Sequence, residues 1–552
     1  MRFFPSLCAA ALAAASTAAH AATIIDNANG YTFTKTGKLL RFSSLAIGDD
    51  GKVIAVGSAK VVAAKAPRAE HVDAGGKTLL PGLIDAHGHV FGLGSGETEL
   101  SLRAARSLEE AQRAIADYAQ AHPRNAWIRG GEWNQAVWKL GRFPTALEID
   151  AVVADRPVWL YRVDGHAAWA NTKAMQLAGV TKDTPDPEGG RIERDAAGNP
   201  TGVFIDRAMQ LVARIVPPYS EAENRAALDA ALARLAEAGL TSVHDAGVSA
   251  EQDTLFREYA SRGKLTSRVY GMVRGVDAFF DRAAESGPLQ SMANDMYALR
   301  AVKLFADGAL GSRGAALLAP YSDAPQTRGL LFKDDEAMLD MMEKAMRKGY
   351  QVNAHAIGDA GNRQILDGFE KLARRGLGRG LRHRIEHAQV VALADIPRFA
   401  RAGVLPSMQP IHATSDMNMA EDRVGDERIK GAYAWRTFLK QGSRIACGSD
   451  FPVESPNPFW GIHAAVTRQD AHDRPATGWY PEQAMMRAEA LRCFTLDAAY
   501  AAHQEDVLGT LEPRKWADFI VIDRDLFTIP ARDIHKIRVL QTWVAGRKVF
   551  ER

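Results

Sequence analysis

The 552-residue chain is poor in cysteine, with three in all, and nearly free of net charge, at +2. Each shortage excludes something. A near-neutral surface lacks the field that draws nucleic acid or anionic membrane, so neither is expected as a partner and a small molecule is. Fixed-period repeats and low-complexity tracts are missing, which excludes a solenoid and a long disordered linker. Beyond the first residues no apolar run approaches transmembrane length. What remains, 47% hydrophobic and 24% charged residues, is the composition of a globular protein with a large core.

The opening MRFFPSLCAAALAAASTAAHAATIID has a positive start at Arg2, a short Ala- and Leu-rich run, and a small-x-small site at Ala19-His20-Ala21. This layout predicts a secretory signal over residues 1–21 and a mature chain from Ala22, exported to a periplasm or beyond without a stable membrane anchor. Pro5-Ser6-Leu7 before Cys8 lack the small residues a lipoprotein signal needs. Cleavage would leave Cys447 and Cys493. An oxidising compartment permits a disulfide, but two cysteines make no disulfide framework, and Cys447 in RIACGSD reads as a small buried hydrophobe.

Both ends of the mature chain read as β-rich. LAIGDDGKVIAVG and HVDAGGKTLLPG near the start, and WADFIVIDRD and HKIRVLQTWVAGRKVF near the end, are short strands broken by Asp-Gly, Gly-Gly and Ala-Gly turns. Too short to be stable alone, they are expected to pair into one small β-domain, a β-sandwich of residues 22–80 and 501–552. Between them, strand candidates LIDAHGH, TSVHDAG, RVYGMV, AVKLFADG, QVNAHAIGD, RHRIEHAQV, VLPSMQP and RIACGSDFP alternate with amphipathic helices such as ENRAALDAALARLAEAG, closed by Gly239. Eight such strands predict an α/β fold, a parallel (β/α)8 TIM barrel over residues 81–500. The gap after the first strand is too long for one crossover and predicts an inserted subdomain at about 95–235, containing GGEWNQAVW, VWLYRVDGHAAWAN and a hairpin in GGRIERDAAGNPTG.

Active residues of such barrels sit at the carboxyl ends of the strands. Here His87 and His89 end the first, two apart and on one face. Lys303 lies in AVKLFADG, His355 ends QVNAH, His387 ends RIEH and Asp450 ends IACGSD. One strand-end histidine is ordinary; six such groups at matching ends are a set. Four imidazoles and a carboxylate suit zinc and its first-row neighbours. An ammonium would repel a cation, so Lys303 must be neutral or modified. Reaction with carbon dioxide would give an anionic carbamate able to bridge two cations.

These blocks resemble the amidohydrolase superfamily, and within it the amidohydrolase-3 group that includes the N-substituted formamide deformylases. LLPGLIDAHGH matches the group's Pro-Gly-x-x-Asp-x-His-x-His; AVKLFADGALGSRGAAL, GYQVNAHAIGDAGN, RIEHAQ and GSDFPV follow in order, and GTLEPRKWADFIVIDRD resembles its closing strand. The resemblance implies one or two divalent ions, zinc by default. His87 and His89 would hold the more buried ion, Lys303 as carbamate would bridge, His355 and His387 would hold the second, and Asp450 would contact the first and act as general base. It implies hydrolysis of non-peptide carbon–nitrogen bonds. His166 resembles a position near the substrate in related proteins; Trp169 and Arg313 are expected in the same pocket, with His412 as a further lining candidate. His244 and Asp245 read as supporting or structural residues.

Two other readings stand beside this one. The same site could open esters, lactones or phosphotriesters, because fold does not select among them. A non-catalytic exported metal- or ligand-binding protein is the alternative from another class, disfavoured by the presence of both Lys303 and Asp450. Oligomeric state is left open, a homo-oligomer included.

Overall fold

The structure, a computed structural model, describes residues 22–552; the signal expected over residues 1–21 and Cys8 lie outside them. The eight strand candidates form one parallel sheet in sequence order: β1 (Leu83–Gly88), β2 (Leu240–Val248), β3 (Arg268–Arg274), β4 (Tyr297–Phe305), β5 (Gln351–Ala356), β6 (Arg384–His387), β7 (Leu405–Met408) and β8 (Ala446–Cys447). The ring is drawn together between its ends by Asp450 N–H donating to the His87 carbonyl at 2.7 Å and His89 N–H donating to that of Phe451 at 2.8 Å. Helices cover the outside, as the expected TIM barrel requires. The helix Glu221–Ala238 shows how sequence sets its place: Ser220 caps its first turn, Gly239 ends it at φ 80°, and Leu228, Ala231, Leu232 and Leu235 form the buried stripe.

Asp85 fastens the junction of β1 and β8. Its carboxylate accepts the Ser449 hydroxyl at 2.7 Å, the Ser449 N–H at 3.1 Å and the His87 N–H at 3.0 Å. Two glycines let the strands approach so closely. A Cβ on Gly88 would lie 2.4 Å from the Phe451 ring, and one on Gly448 would lie 2.6 Å from the His87 nitrogen.

The termini join as expected. A six-stranded sheet runs in the order Arg547–Glu551, Val539–Val544, Phe519–Ile522, Thr78–Pro81, Asn29–Phe33, Leu39–Phe42, so strands from both ends share one ladder. A four-stranded sheet of Val53–Gly57, Ser44–Ile47, Thr23–Asp26 and Glu70–Asp73 packs on it through Ile25, Leu45, Val53, Leu79, Phe519 and Val521. A third, six-stranded sheet lies between β1 and β2 in sequence, from Leu100 to Asp206, and GGRIERDAAGNPTG forms its antiparallel hairpin, Ile192 opposite Phe204. Among the described residues no helix is long and apolar enough to cross a membrane.

One expectation is corrected. Cys447 is not a free thiol: it is disulfide-bonded to Cys493, tying β8 to the helix Arg487–Cys493. Both are buried; the sequence permits the pairing, but across a separation of 46 residues nothing in it shows that the two meet. A loop of that length gives a chain-entropy stabilisation of about 4 kcal/mol. Replacing both cysteines by alanine is therefore expected to lower the midpoint of denaturant unfolding, and a reductant should then lower that of the native protein but not of the variant.

Candidate metal centre

The carboxyl ends of the barrel strands bring most of the candidates together. His87 is fully buried, its Nδ1 2.5 Å from Glu386 Oε2 and its Nε2 3.2 Å from Lys303 Nζ and 3.5 Å from Asp450 Oδ1. His89, partly open to solvent, places Nε2 3.1 Å from the same Asp450 oxygen. The His387 ring lies 4.8 Å from that of His87 and 4.6 Å from that of His355. One ligand atom each from His87, His387 and Asp450 lies within 4.8 Å of the others. This compact trio crosses the division implied by the resemblance, which assigns His87 and His387 to different ions.

Backbone conformation contributes to the convergence. His387 and Asp450 have φ of 75° and 61°, left-handed values that side-chain-bearing residues adopt at a cost of about 1–3 kcal/mol each. On a regular strand His387 would point opposite to Glu386. The left-handed turn allows both to reach His87 or its neighbours, Glu386 from within the barrel and His387 from its mouth.

Burial sets the protonation of the cluster. It pushes His87 down to about 4, and His355 and His387 well below the usual imidazole range, so all three are neutral and carry lone pairs. Burial also brings the Lys303 ammonium down to about 8, which makes its neutral amine accessible near physiological pH. For Asp450, burial works against the charge, but the surrounding imidazoles, His87 foremost, hold the carboxyl well below the usual range.

Several buried polar atoms here have no hydrogen-bond partner: Asp450 Oδ1, His355 Nε2 and His412 Nε2. Buried polar atoms are normally paired. Neutral imidazoles and an ionised carboxylate, converging and unpartnered, fit a first-row divalent cation.

Four supporting residues escape a reading of strand ends alone. Glu386 accepts from Arg384 Nε at 2.7 Å as well as meeting His87; Arg384 in turn donates to the Ala86 carbonyl and meets His244 Nδ1 at 2.9 Å. Burial disfavours the Glu386 charge, yet Arg384 and His87 hold its carboxyl far below the ordinary range. Asp307, at the end of β4, accepts the N–H groups of Ala316, Ile357 and Gly358 and lies 3.6 Å from His355 Nε2. Asp85 is the fourth, through its hold on Ser449 and His87. The signal for Arg384 and Glu386 is in RIEH itself: two charges in a strand buried on both faces must be partnered. His244 meets Arg384, and Asp245 accepts the Val90 N–H.

The expected substrate contacts separate. His412 is at the site, stacked 5.9 Å from His387, its Nε2 3.8 Å from Asp450 Oδ2. His166 and Arg313 share a cavity of about 700 Å3 between the inserted sheet and the loop after β4, together with Asp164, Asp206 and Arg162; none of the six metal candidates lines it. His166 Nδ1 lies 2.9 Å from Asp206 Oδ1, and Arg313 pairs with Asp323. Trp169 is not in this cavity. It is fully buried against Trp133 and Trp138, its Nε1 donating to the Thr145 carbonyl. The physical reason is that its strand, Ala167–Ala170, is interior to the sheet and covered on both faces, Trp169 facing one apolar core and Ala168 the other.

The model of the amidohydrolase family matches residues 70–550. Protein LONG AFTER FAR-RED 3 of Arabidopsis thaliana is 34% identical over 536 residues, 95% of this chain and 91% of that protein. The N-substituted formamide deformylase of Arthrobacter pascens is 29% identical over 520 residues, 91% of this chain and 94% of that protein. The crystal structure of an uncharacterized metal-dependent hydrolase from Pyrococcus horikoshii OT3 superposes with a TM-score of 0.77 at 29% identity, covering 92% of this chain and 99% of that one.

Proposed function

Since the chain belongs to the amidohydrolase family and is a hydrolase by that membership, we propose that it cleaves a non-peptide carbon–nitrogen bond, of amide, formamide or cyclic amide type, in a small molecule. The observation that carries the proposal is the convergence of His87, His387 and Asp450 beside the buried Lys303 at the barrel mouth. The deformylase activity named for the Arthrobacter relative supports the choice of bond.

The ligand set we propose is His87, His89, His355, His387 and Asp450, with Lys303 as a carbamate; one or two ions fit, zinc foremost. A cation held there would acidify a water and polarise a carbonyl. The residues of the chain do the rest. Asp450 Oδ1, kept ionised and left without a hydrogen-bond partner, is placed to take a proton from water and to return it to the leaving nitrogen. Glu386 fixes the His87 ring through Nδ1, leaving Nε2 as the donor atom, and Gln409 Oε1 does the same for His387 at 2.8 Å. His412 stands close enough to Asp450 to contact a substrate carbonyl, and the His166–Arg313 cavity would receive the rest of the molecule. The disulfide supports placing the protein in an oxidising, exported compartment.

The test is a panel of N-acyl amino acids, N-substituted formamides, cyclic imides and aryl esters, assayed with metal-loaded protein. Turnover of amide-type members above esters is expected; turnover of esters alone would overturn the bond assignment. For Lys303→Ala, activity should fall and return on adding a short carboxylic acid, which replaces the carbamate oxygens. Full activity without any addition would reject the carbamate.

A further inference from the structure

Away from the barrel mouth, three side chains from separate segments meet at a second point. The helix Pro458–Thr467 carries His463, almost wholly buried; the loop after it carries Asp473; and the turn Ala531–Lys536, beyond the last barrel helix, carries His535. His463 Nε2 lies 3.2 Å and His535 Nδ1 3.9 Å from the same oxygen, Asp473 Oδ1. The imidazole rings meet edge to face with centroids 4.6 Å apart. One donor atom from each residue lies within 4.8 Å of the other two.

Hydrogen bonding does not account for this arrangement. Asp473 can accept from His463, but His535 Nδ1 is buried and has no partner. A buried, unpartnered imidazole nitrogen aimed at a carboxylate that already accepts from His463 is unfavourable unless something else fills the gap. Burial lowers His463 below the usual imidazole range, favouring its neutral form. Asp473 is held at φ 59°, a left-handed conformation. The separations of 3.2 and 3.9 Å bracket the spacing of roughly 3.4 Å between donors that share a tetrahedral ion with bonds of about 2.1 Å.

We propose that His463, Asp473 and His535 bind one first-row divalent cation of the zinc class, at a site that shares no residue with the barrel-mouth cluster. Two imidazoles and one carboxylate favour such a metal over magnesium or calcium, which take all-oxygen shells. His463 and His535 also line a cavity of about 270 Å3, together with His472, Glu454 and Ser415. Ser415 belongs to the helix Pro410–Asp416 that carries His412. The ion would tie the barrel wall, its following loop and the C-terminal segment together.

The experiment strips the full chain with a chelator, titrates it with zinc(II) and counts equivalents retained after dialysis. The native protein is expected to retain one equivalent more than Asp473→Asn, His535→Gln and the double variant, and the double variant to lose no more than either single one. Cobalt(II) should show a visible absorption component in the native protein that all three lack. Should His535→Gln fail to fold, Asp473→Asn decides alone, its side chain being a third exposed on a surface loop. Equal zinc retention by the native protein and a folded Asp473→Asn variant would overturn the proposal.

Discussion

Asp450→Asn is expected to retain its metal and lose turnover by about 10²–10⁴-fold, the usual contribution of a positioned general base. Asparagine preserves the shape and one oxygen, so contacts to His89 Nε2 and His87 Nε2, at 3.1 and 3.5 Å from Oδ1, can persist in altered form. What disappears is the negative charge and the capacity to accept a proton. Folding should not suffer. The carboxylate is buried, so ionising it opposes folding unless the imidazoles and a cation offset that cost, and its Oδ1 makes no hydrogen bond that asparagine would break. The checks are kcat/KM on a panel substrate together with metal content by elemental analysis. Near-native kcat/KM in a metal-loaded variant would remove Asp450 as the base and direct attention to His412, whose unpartnered Nε2 lies 3.8 Å from Asp450 Oδ2.

The barrel was legible because each of its strands, buried on both faces, reads as a short apolar run ended by a polar residue, as in LIDAHGH and QVNAHAIGD. The same geometry made His87, His355, His387 and Asp450 visible, since a chemical group at a strand end needs no knowledge of its neighbours. Pairwise facts were not legible. The disulfide needed Cys493 to be brought beside β8, and His535 meets His463 only where the C-terminal segment packs on the helix Pro458–Thr467. Trp169 misled for a related reason: VWLYRVDGHAAWAN reads as a strand near a pocket, but nothing in it says that both faces of that strand are covered. Glu386 lay between these cases. It was noticeable as a buried charge, while its partner is nearly 300 positions away, at a sequence separation of 299.

Removing Glu386 should therefore have two large effects, and they can be separated. In Glu386→Ala, Arg384 is left in the barrel interior with no opposing carboxylate, and breaking one side of a buried ion pair costs about 3–5 kcal/mol. His87 also loses the acceptor that fixes its ring, which typically weakens metal binding about 10–100-fold. In Glu386→Gln the amide keeps the size and can still accept from one partner, so the stability loss should be smaller. The ring-fixing contact to His87 should nevertheless weaken, because a neutral amide oxygen is a poorer acceptor than a carboxylate. The double variant Glu386→Ala/Arg384→Met tests the division: it should recover much of the lost stability, because no charge is left unpaired, and recover none of the metal affinity. Denaturant midpoints read the first quantity, and chelator competition reads the second. If the double variant recovers both, Glu386 serves the barrel interior alone, and the orientation of His87 rests on Asp85, whose carboxylate accepts the His87 backbone N–H, and on Lys303.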